Sequence, residues 1–312
     1  MLSPLRSLCN HAVTAARRYR SGDLIGAQTA LYNIYLGLLE KWTWYDGGQS
    51  LLEHDWDVAI ILDACRVDAL RYYTDEYDWL TDVQTDTSVA GMTPTWMDAT
   101  FDSPSACASI QYVSGNPYSV THLTDDWFQE VVHLSETHWS EEYHTVTARP
   151  VTDEAIRTWR TDEPDAMVVH YMQPHFPSIP AIRGDVGAKS FGRGGIVGRW
   201  ESVRRDEITK IDVVESYLAN LRYVLDDVEL LLENVDAEDI LITADHGTCL
   251  GEAGIYGHAG LHLPPVFSIP VAWTTATDDG THDPDERVTT SDEQTVADRS
   301  VEDQLAALGY VR

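Results

Sequence analysis

The chain has 312 residues and 43% hydrophobic residues, which is enough apolar material for one large core or two smaller ones. Most of it is therefore expected to be folded rather than disordered. A formal charge of -30, from 51 acidic against 21 basic side chains, excludes a general role on nucleic acid, whose phosphates would repel such a surface.

The chain opens with a helical pattern over residues 4–45, which Asp46-Gly47-Gly48 ends. The first part of this pattern is basic and the second part is aromatic. Residues 1–50 are therefore predicted to form an N-terminal helical extension. It is expected to pack on the main domain or on another subunit of a homo-oligomer, and peripheral contact with a membrane surface is the alternative.

Strand and helix patterns alternate after this extension. Continuous apolar runs predict strands buried on both faces over residues 58–62, 166–172, 240–244 and 266–273. Helical spacing predicts helices over residues 66–73, 206–232 and 301–308. This alternation indicates an α/β fold with a mostly parallel, doubly wound central sheet.

Two polar segments interrupt the pattern. Residues 177–205 combine six glycines with six basic side chains, and they predict a mobile loop. Its Arg183, Lys189 and Arg193 would form a positive lid over an anionic ligand, although a plain surface excursion is the alternative. Residues 274–298 are polar and acidic, and they predict a solvated excursion.

The positive charge is almost entirely arginine, since lysine occurs at three positions only. The acids are spread over the whole chain. This pattern is typical of extremely halophilic organisms, in which molar salt screens carboxylate repulsion beyond about 3 Å. An acidic functional face is the alternative. The net negative charge then reflects adaptation to salt, and functional segments are expected where the local charge differs from that of the whole chain.

Targeting and redox signals are weak. The four cysteines have neither CxxC nor zinc-finger spacing, so reduced thiols in an intracellular protein are expected. The first twenty residues lack an uninterrupted apolar segment and a small-residue cleavage site. No run of eighteen apolar residues follows. The sequence therefore predicts a cytoplasmic protein, or one peripheral to the membrane.

Acidic residues directly follow two of the predicted strands. Asp63 ends the first strand, and Asp245-His246 end the third. Ligands of open α/β sheets bind beyond the carboxyl ends of the strands, so these distant positions are expected to converge. Carboxylate and imidazole suit zinc or manganese and, with more oxygens, calcium or magnesium. Asp63 alone would be read as a helix N-cap, but together the three predict a divalent metal site.

Longer stretches around these residues share a family pattern. They are ILDACRVDAL at 61–70, HYMQPHFP at 170–177, TADHGTCLGE at 243–252 and YGH at 256–258. The chain resembles the sulfatase-like branch of the alkaline phosphatase superfamily over about residues 55–312. The resemblance implies an alkaline-phosphatase-like three-layer sandwich over residues 51–312, acting on a phosphate or sulfate ester.

The resemblance also implies roles for single residues. Asp63, Asp245 and His246 match metal ligands of the family. His175 matches a histidine that contacts the anionic substrate, and His258 matches a second histidine on the substrate side or at a second metal.

Three neighbouring residues have less defined roles. Glu252 lies in the family motif and is expected to hold its loop. His170 is expected to be a buried strand histidine rather than a ligand, and Arg66 is expected to pack or to pair with an acid. His262 is left undecided.

The nucleophile departs from the sulfatase pattern. Formylglycine enzymes need a cysteine followed by an arginine four positions later, but Cys65 lacks this motif and Cys107 has Gln111 at the arginine position. Phosphoryl chemistry is therefore favoured over sulfuryl chemistry. The phosphotransferases of the superfamily use serine or threonine instead.

Hydroxyl candidates lie between residues 87 and 95. Thr93 is the first choice, because Pro94 suits the first turn of a helix whose N-terminus would favour a bound anion. Ser88 and Thr95 are the alternatives. A further alternative is that Thr93 is only an N-cap in an inactive site.

These features predict a metal-dependent hydrolase or transferase of a phosphate ester, or less favourably a sulfate ester. Its substrate would be a small anionic ester or a glycan-linked or lipid-linked one. The alternative is a catalytically inactive sulfatase-like protein that binds an anionic glycan or lipid headgroup, or that scaffolds a surface assembly.

Overall fold

The computed structural model describes residues 3–22, 30–32, 34–35, 47–180, 200, 202–203, 208–258, 262–284 and 300–308. The chain divides into two compact units, Met1–Asp46 with Ala259–Pro264, and Gly47–His258 with Pro265–Arg312. Helix α1 (Ser3–Arg20) belongs to the first unit. The predicted lid residues Arg183, Lys189 and Arg193 lie outside the described residues.

The second unit is built on a sheet. Its strands are β1 (Val58–Leu62), β2 (Gln84–Thr87), β3 (Ile110–Ser114), β4 (Glu130–His133), β5 (Trp139–Ser140), β6 (Thr145–Val146), β7 (Ala166–Tyr171), β8 (Ala237–Thr243), β9 (Cys249–Leu250), β10 (Tyr256–Gly257) and β11 (Ser268–Ala276). Seven of the described strands form one sheet in the order β2-β11-β8-β1-β7-β3-β4. The five strands from β8 to β4 in this order are parallel, and β11 is antiparallel to both of its neighbours.

Helices flank this sheet. They are α2 (Val67–Tyr72), α3 (Thr93–Thr100), α4 (Pro104–Cys107), α5 (Ser119–His122), α6 (Leu134–Thr137), α7 (Ala148–Asp162), α8 (Lys210–Leu232), α9 (Pro264–Phe267) and α10 (Val301–Ala307). The longest of them, α8, starts with a capping box in which Thr209 and Asp212 each accept a main-chain N–H hydrogen bond from the other residue.

Two apolar layers cover the two faces of the sheet. Alternate residues of β1 point to opposite faces, and all five are fully buried. Ile60 packs in the cluster that contains the buried faces of α2, α7 and α8. Ile61 packs in the other cluster, with Trp96 and Met97 of α3 and Leu305 of α10. The predicted α/β class with a mostly parallel sheet is confirmed as a three-layer sandwich.

Some predicted boundaries are wrong. The helical stretch expected over residues 4–45 is interrupted after Arg20, because Ser21 and Gly22 form a turn and Gly22 has a φ of +79°. The described residues 30–32 and 34–35 are again helical. A left-handed glycine is a common helix terminator.

The last strand is also shifted. Residues 264–267 form the short helix α9 instead of the start of the strand, and β11 continues to Ala276. The first three residues of the excursion expected over 274–298 therefore belong to the sheet. Residues 285–299 lie outside the described part of the chain.

Candidate active site and metal centre

The carboxyl ends of β1 and β8 bring the predicted metal ligands together. These strands are parallel neighbours, with Ile61 opposite Thr243, so both chains leave the sheet at the same edge. Asp63, Asp245 and His246 follow directly and are fully buried. One potential ligand atom from each of the three lies within 4.8 Å of the other two.

Asp245 is held by both main-chain and side-chain donors. Its Oδ1 accepts hydrogen bonds from the backbone N–H groups of Ala64 at 3.0 Å and His246 at 2.8 Å. Its Oδ2 accepts a hydrogen bond from Thr93 Oγ1 at 2.7 Å. Ala64 adopts a left-handed conformation with φ of +60°, which is unfavourable for a residue with a Cβ atom. This strained turn aims its N–H group at Asp245.

Asp63 has one satisfied and one unsatisfied oxygen. Its Oδ2 accepts a hydrogen bond from Asn116 Nδ2 at 2.7 Å. Its Oδ1 has no hydrogen-bond partner among the described residues and lies 3.9 Å from His246 Nε2. A buried carboxylate oxygen without a donor is costly unless a cation neutralises it. The geometry thus leaves a ligand position open on Asp63.

Asn116 was not found by sequence reasoning. It lies two residues after the end of β3, where the sequence Gly115-Asn116-Pro117 resembles an ordinary turn. Its side-chain oxygen accepts the N–H of Tyr118 at 2.9 Å, which fixes the amide so that its nitrogen faces Asp63. The only sequence signal for Asn116 is its position just after an apolar strand. That signal could not be used, because β3 itself was not predicted.

The imidazole of His246 is oriented for ligation. Its Nδ1 lies 2.8 Å from the carbonyl oxygen of Gly247 and must donate to it, so the lone pair is on Nε2. Nε2 lies 3.4 Å from Asp245 Oδ2 and 3.3 Å from Thr93 Oγ1. Gly247 is required because a Cβ atom there would lie 2.2 Å from the carbonyl oxygen of Pro265.

The electrostatics of this cluster favour a cation. Burial raises the pKa of Asp63 well above its usual value, and the charge of Asp245 raises it further. Burial acts in the same direction on Asp245, but His246 and other neighbours outweigh it and lower the pKa of Asp245. Two oxygens and one nitrogen bound to one ion at about 2 Å would lie about 3.4 Å apart. His246 Nε2 lies 3.4 Å from Asp245 Oδ2 and 3.9 Å from Asp63 Oδ1. The triad therefore fits a divalent metal ion.

Thr93 lies against this triad. It is the first residue of α3 and is fully buried, and the N-cap is Met92 rather than Thr93. Its hydroxyl binds Asp245 and approaches His246 instead of capping its own helix.

The two alternative hydroxyls are placed differently. Ser88 is buried, but its Oγ donates to the main-chain carbonyl of Asp245 and accepts the N–H of Ala90 at 3.2 Å. Thr95 is exposed to solvent, two residues along α3 from the buried Thr93. Thr93 is thus the one of the three whose hydroxyl bonds to the ligand carboxylate itself.

His175 and His258 form the other half of the site. His175 Nδ1 donates to the carbonyl of Phe176, so its Nε2 accepts from His258 Nε2 at 3.0 Å. The ring of His258 lies 4.3 Å from the ring of His246, between centroids. Burial and the nearby His246 lower the pKa of His175 to about 4, and the same causes lower that of His258 well below its usual value. Both rings are neutral at pH 7.

An ion-pair network joins the loops around the acids. Arg66 binds Glu252 Oε1 at 2.8 Å and the carbonyl of Thr248 at 2.9 Å, and it also pairs with Asp68. The other oxygen of Glu252 accepts the N–H of Leu250 at 2.6 Å. Arg66 and Glu252 therefore connect the loop after β1 to the loop after β8.

His170 lies in the interior beside the site. It is fully buried on β7, and its Nδ1 lies 2.8 Å from the hydroxyl of Tyr112. Its ring also contacts Trp96 of α3, with 5.8 Å between centroids. Burial is the main cause that lowers the pKa of His170 to about 4. It does not belong to the metal triad.

The described cysteines do not supply a nucleophile. Cys65, Cys107 and Cys249 are buried and free. Burial raises the pKa of all three thiols, that of Cys107 to about 11 and that of Cys249 to about 12. A protonated, buried thiol is unreactive.

Comparison with known proteins identifies the fold. No protein-family model and no curated protein matches the chain. The structure of BT4656 in complex with its substrate D-glucosamine-2-N,6-O-disulfate is similar, with a TM-score of 0.50, 12% identity and 70% of each chain covered. The predicted alkaline-phosphatase-like sandwich is confirmed.

Two other solved structures are similar to smaller degrees. One is the integral membrane protein lipooligosaccharide phosphoethanolamine transferase A from Neisseria meningitidis, with a TM-score of 0.48, 12% identity and 87% of this chain covered. This chain spans 60% of the length of that protein. The other is an alkaline phosphatase superfamily protein from Vibrio parahaemolyticus, with a TM-score of 0.38, 12% identity and coverage of 74% of this chain and 63% of that one.

Proposed function

We propose that the chain is a metal-dependent hydrolase or transferase that acts on a phosphate ester through Thr93. The observation that carries this proposal is the position of the Thr93 hydroxyl, 2.7 Å from Asp245 Oδ2 and 3.3 Å from His246 Nε2. A hydroxyl that contacts two of the three candidate metal ligands is suited to act as a nucleophile.

The metal triad and Thr93 have separate roles in this proposal. A divalent ion held by Asp63, Asp245 and His246 would lower the pKa of a bound hydroxyl and neutralise charge on the ester. Asp245 orients the Thr93 hydroxyl by accepting its proton in a hydrogen bond. Thr93 opens α3, so the positive end of that helix faces the same place and favours an anionic group.

The histidine pair would serve the substrate side. A neutral imidazole has one N–H, and that of His175 is held by the carbonyl of Phe176. His258 would therefore be the donor, by turning the N–H that it gives to His175 Nε2 towards a nonbridging oxygen of an ester or its leaving group. His175 is buried and His258 is half-buried, so the pair stands at the edge of the site where a ligand could reach it. The ligand class proposed is a small anionic ester or a glycan-linked or lipid-linked one.

Phosphoryl transfer is proposed over sulfuryl transfer for a chemical reason. The thiols of the described cysteines are buried with raised pKa values, and a threonine hydroxyl stands at the metal-ligand set. The Thr93 oxygen would form a bond to phosphorus while the bond to the ester's alcohol breaks and that alcohol leaves, which gives a covalent phospho-threonine. Water or an acceptor alcohol would then attack the phosphorus, take the phosphoryl group and return the threonine hydroxyl.

The test compares two threonines of one helix. Thr93→Val should lower turnover of nitrophenyl phosphate monoesters or diesters by about a thousandfold or more, while Thr95→Val should retain it. Assays with added zinc, manganese, calcium or magnesium after chelation identify the ion. Intact-mass and peptide analysis of quenched reactions should locate phosphate on residue 93. Bound metal without turnover of any ester would instead favour an inactive protein that binds an anionic ligand.

A further inference from the structure

The first compact unit carries an unusual helix for a protein of charge -30. Helix α1 contains four arginines at positions 6, 17, 18 and 20, and it has no aspartate or glutamate. Its charge is therefore opposite to that of the chain as a whole. A local excess of one sign marks a surface selected for a partner of the other sign.

The apolar residues of α1 follow one stripe. Where the side chains of α1 are described, they are Ala12, Val13, Ala15, Ala16 and Tyr19, which is the spacing of one helix face. Part of this stripe is exposed, since Val13 and Tyr19 have 59% and 68% of their surface accessible. Arg17 follows Val13 by four residues, so a cation and an apolar side chain stand side by side on the helix.

Exposed apolar side chains are concentrated in this unit. Among the residues that the structure describes, seven large hydrophobic side chains are exposed, and four of them lie in the first 35 residues: Val13, Tyr19, Leu31 and Tyr35. Exposed large apolar side chains are therefore more frequent in this short segment than in the rest of the described chain.

We infer that α1 docks the protein on the surface of an anionic lipid bilayer. Such a bilayer offers phosphate groups to the arginines and acyl chains to Val13 and Tyr19 within about 5–10 Å of depth. Nucleic acid offers the charge without the apolar layer. A second copy of this chain that docked through the same helix would bring its own arginines against these, and like charges repel.

The geometry specifies a helix that lies on the membrane. None of the described helices is long and apolar enough to cross a bilayer. An amphipathic helix of 18 residues, about 27 Å long, lies in the interface plane instead. This inference does not depend on the proposed chemistry, because it concerns binding by the first unit alone.

Vesicle sedimentation of the full chain tests the inference. The probes are vesicles of phosphatidylcholine and of phosphatidylcholine with 30% phosphatidylglycerol. Binding should be restricted to the anionic vesicles, and the double variant Arg17→Gln with Arg20→Gln should weaken it by about fivefold for each arginine removed. Val13→Ser with Tyr19→Ser should weaken it by about tenfold or more.

Matched controls lie in the second unit. Ile211 is as exposed as Tyr19, at 68%, and Arg222 is an exposed arginine of the long helix α8. Ile211→Ser and Arg222→Gln should leave vesicle binding unchanged. Equal losses in these controls, equal binding to both kinds of vesicle, or no binding to either would overturn the inference.

A second measurement needs no variant. Hydrogen exchange of the amides in residues 3–20 should slow when anionic vesicles are added to the wild-type chain, while exchange in β1 stays constant. Unchanged exchange in α1 would contradict docking. The opposing outcome is that sedimentation equilibrium shows a self-associating wild-type chain and a monomeric double variant Val13→Ser with Tyr19→Ser. In that case α1 is a subunit interface and the inference is wrong.

Discussion

The two halves of the candidate site are supported differently. Asp63 and Asp245 follow neighbouring strands, and Asp245 is fixed by two main-chain N–H groups. His175 and His258 lie on loops outside the sheet and contact each other through one pair of ring nitrogens. The carboxylate half is therefore held by main-chain donors in a way that suits a metal ion, whereas the two histidine side chains depend on one contact between two loops.

The largest effect is expected at the carboxylate half. Asp63→Asn keeps the shape and the hydrogen bond from Asn116 but removes the negative charge that a cation requires. Metal affinity should fall by more than about a hundredfold, and ester turnover should fall to background. Metal analysis after dialysis, together with kinetic assays, measures both quantities.

The change in thermal midpoint of the same variant distinguishes a carboxylate that binds metal from one that only stabilises the fold. Without metal, Asp63→Asn should raise the thermal midpoint, because it relieves the repulsion between two buried carboxylates. With metal, it should abolish the stabilisation that the wild type gains. Asp98→Asn removes an exposed carboxylate of α3 and is the matched control, with no effect on metal content expected. A lower midpoint in the metal-free variant would contradict the metal site.

The histidine half should respond in turnover alone. His258→Ala removes the donor to His175 and is expected to lower ester turnover by about a hundredfold to ten-thousandfold, with bound metal retained. The measurement is turnover beside metal content in one preparation. Loss of metal together with activity would show that the two halves form one ligand set, and the distinction between them would be wrong.

A smaller effect is expected at Asn116, which donates a hydrogen bond to Asp63 of the carboxylate half. Asn116→Ala deletes the hydrogen bond to Asp63 Oδ2 and frees the carboxylate to rotate. Metal affinity should fall by about tenfold to a hundredfold, and excess metal should restore turnover. A metal titration monitored by activity checks this. If turnover stays low at saturating metal, Asn116 contacts the substrate rather than positioning Asp63.

The smallest effect on activity is expected at His170, which supports neither half directly. Burial holds the pKa of His170 at about 4, whereas an unfolded chain takes up the proton near pH 6.5. The unfolded state therefore binds more protons between these values, and His170 should cost about 3 kcal/mol of unfolding free energy as the pH falls from 6.5 to 4. Above pH 6.5 this loss is absent.

Denaturant unfolding at pH 7 and pH 4 measures this dependence. His170→Leu should flatten the pH slope relative to wild type, even though it also removes the partner of the Tyr112 hydroxyl. The difference between the two slopes isolates His170 from the other buried histidines. Parallel slopes would show that His170 titrates normally in the folded protein.

Sequence patterns predicted well the strands that precede the candidate metal ligands. Residues 58–62 were predicted within the bounds that β1 has, because a run of apolar residues buried on both faces leaves a strong local signal. The strands β3 and β4 were missed. The run of β3 contains Gln111 and Ser114, and the residues of β4 are only partly buried. Such short strands are defined by their neighbours in the sheet rather than by their own composition.

The sequence by itself determined the sheet class and the placement of Asp63, Asp245 and His246 at strand ends, because an apolar run and the polar residue after it are neighbours in the chain. Only the tertiary structure decided which hydroxyl reaches the ligands. In sequence, Thr93 was preferred to Ser88 and Thr95 only because Pro94 follows it. The direction and packing of α3 bury Thr93 against Asp245 and expose Thr95. The contact between His175 and His258 was also decided there, since it joins loops 83 residues apart. Contacts between residues so far apart in the chain depend on how whole helices and strands pack, and the local sequence does not determine that packing.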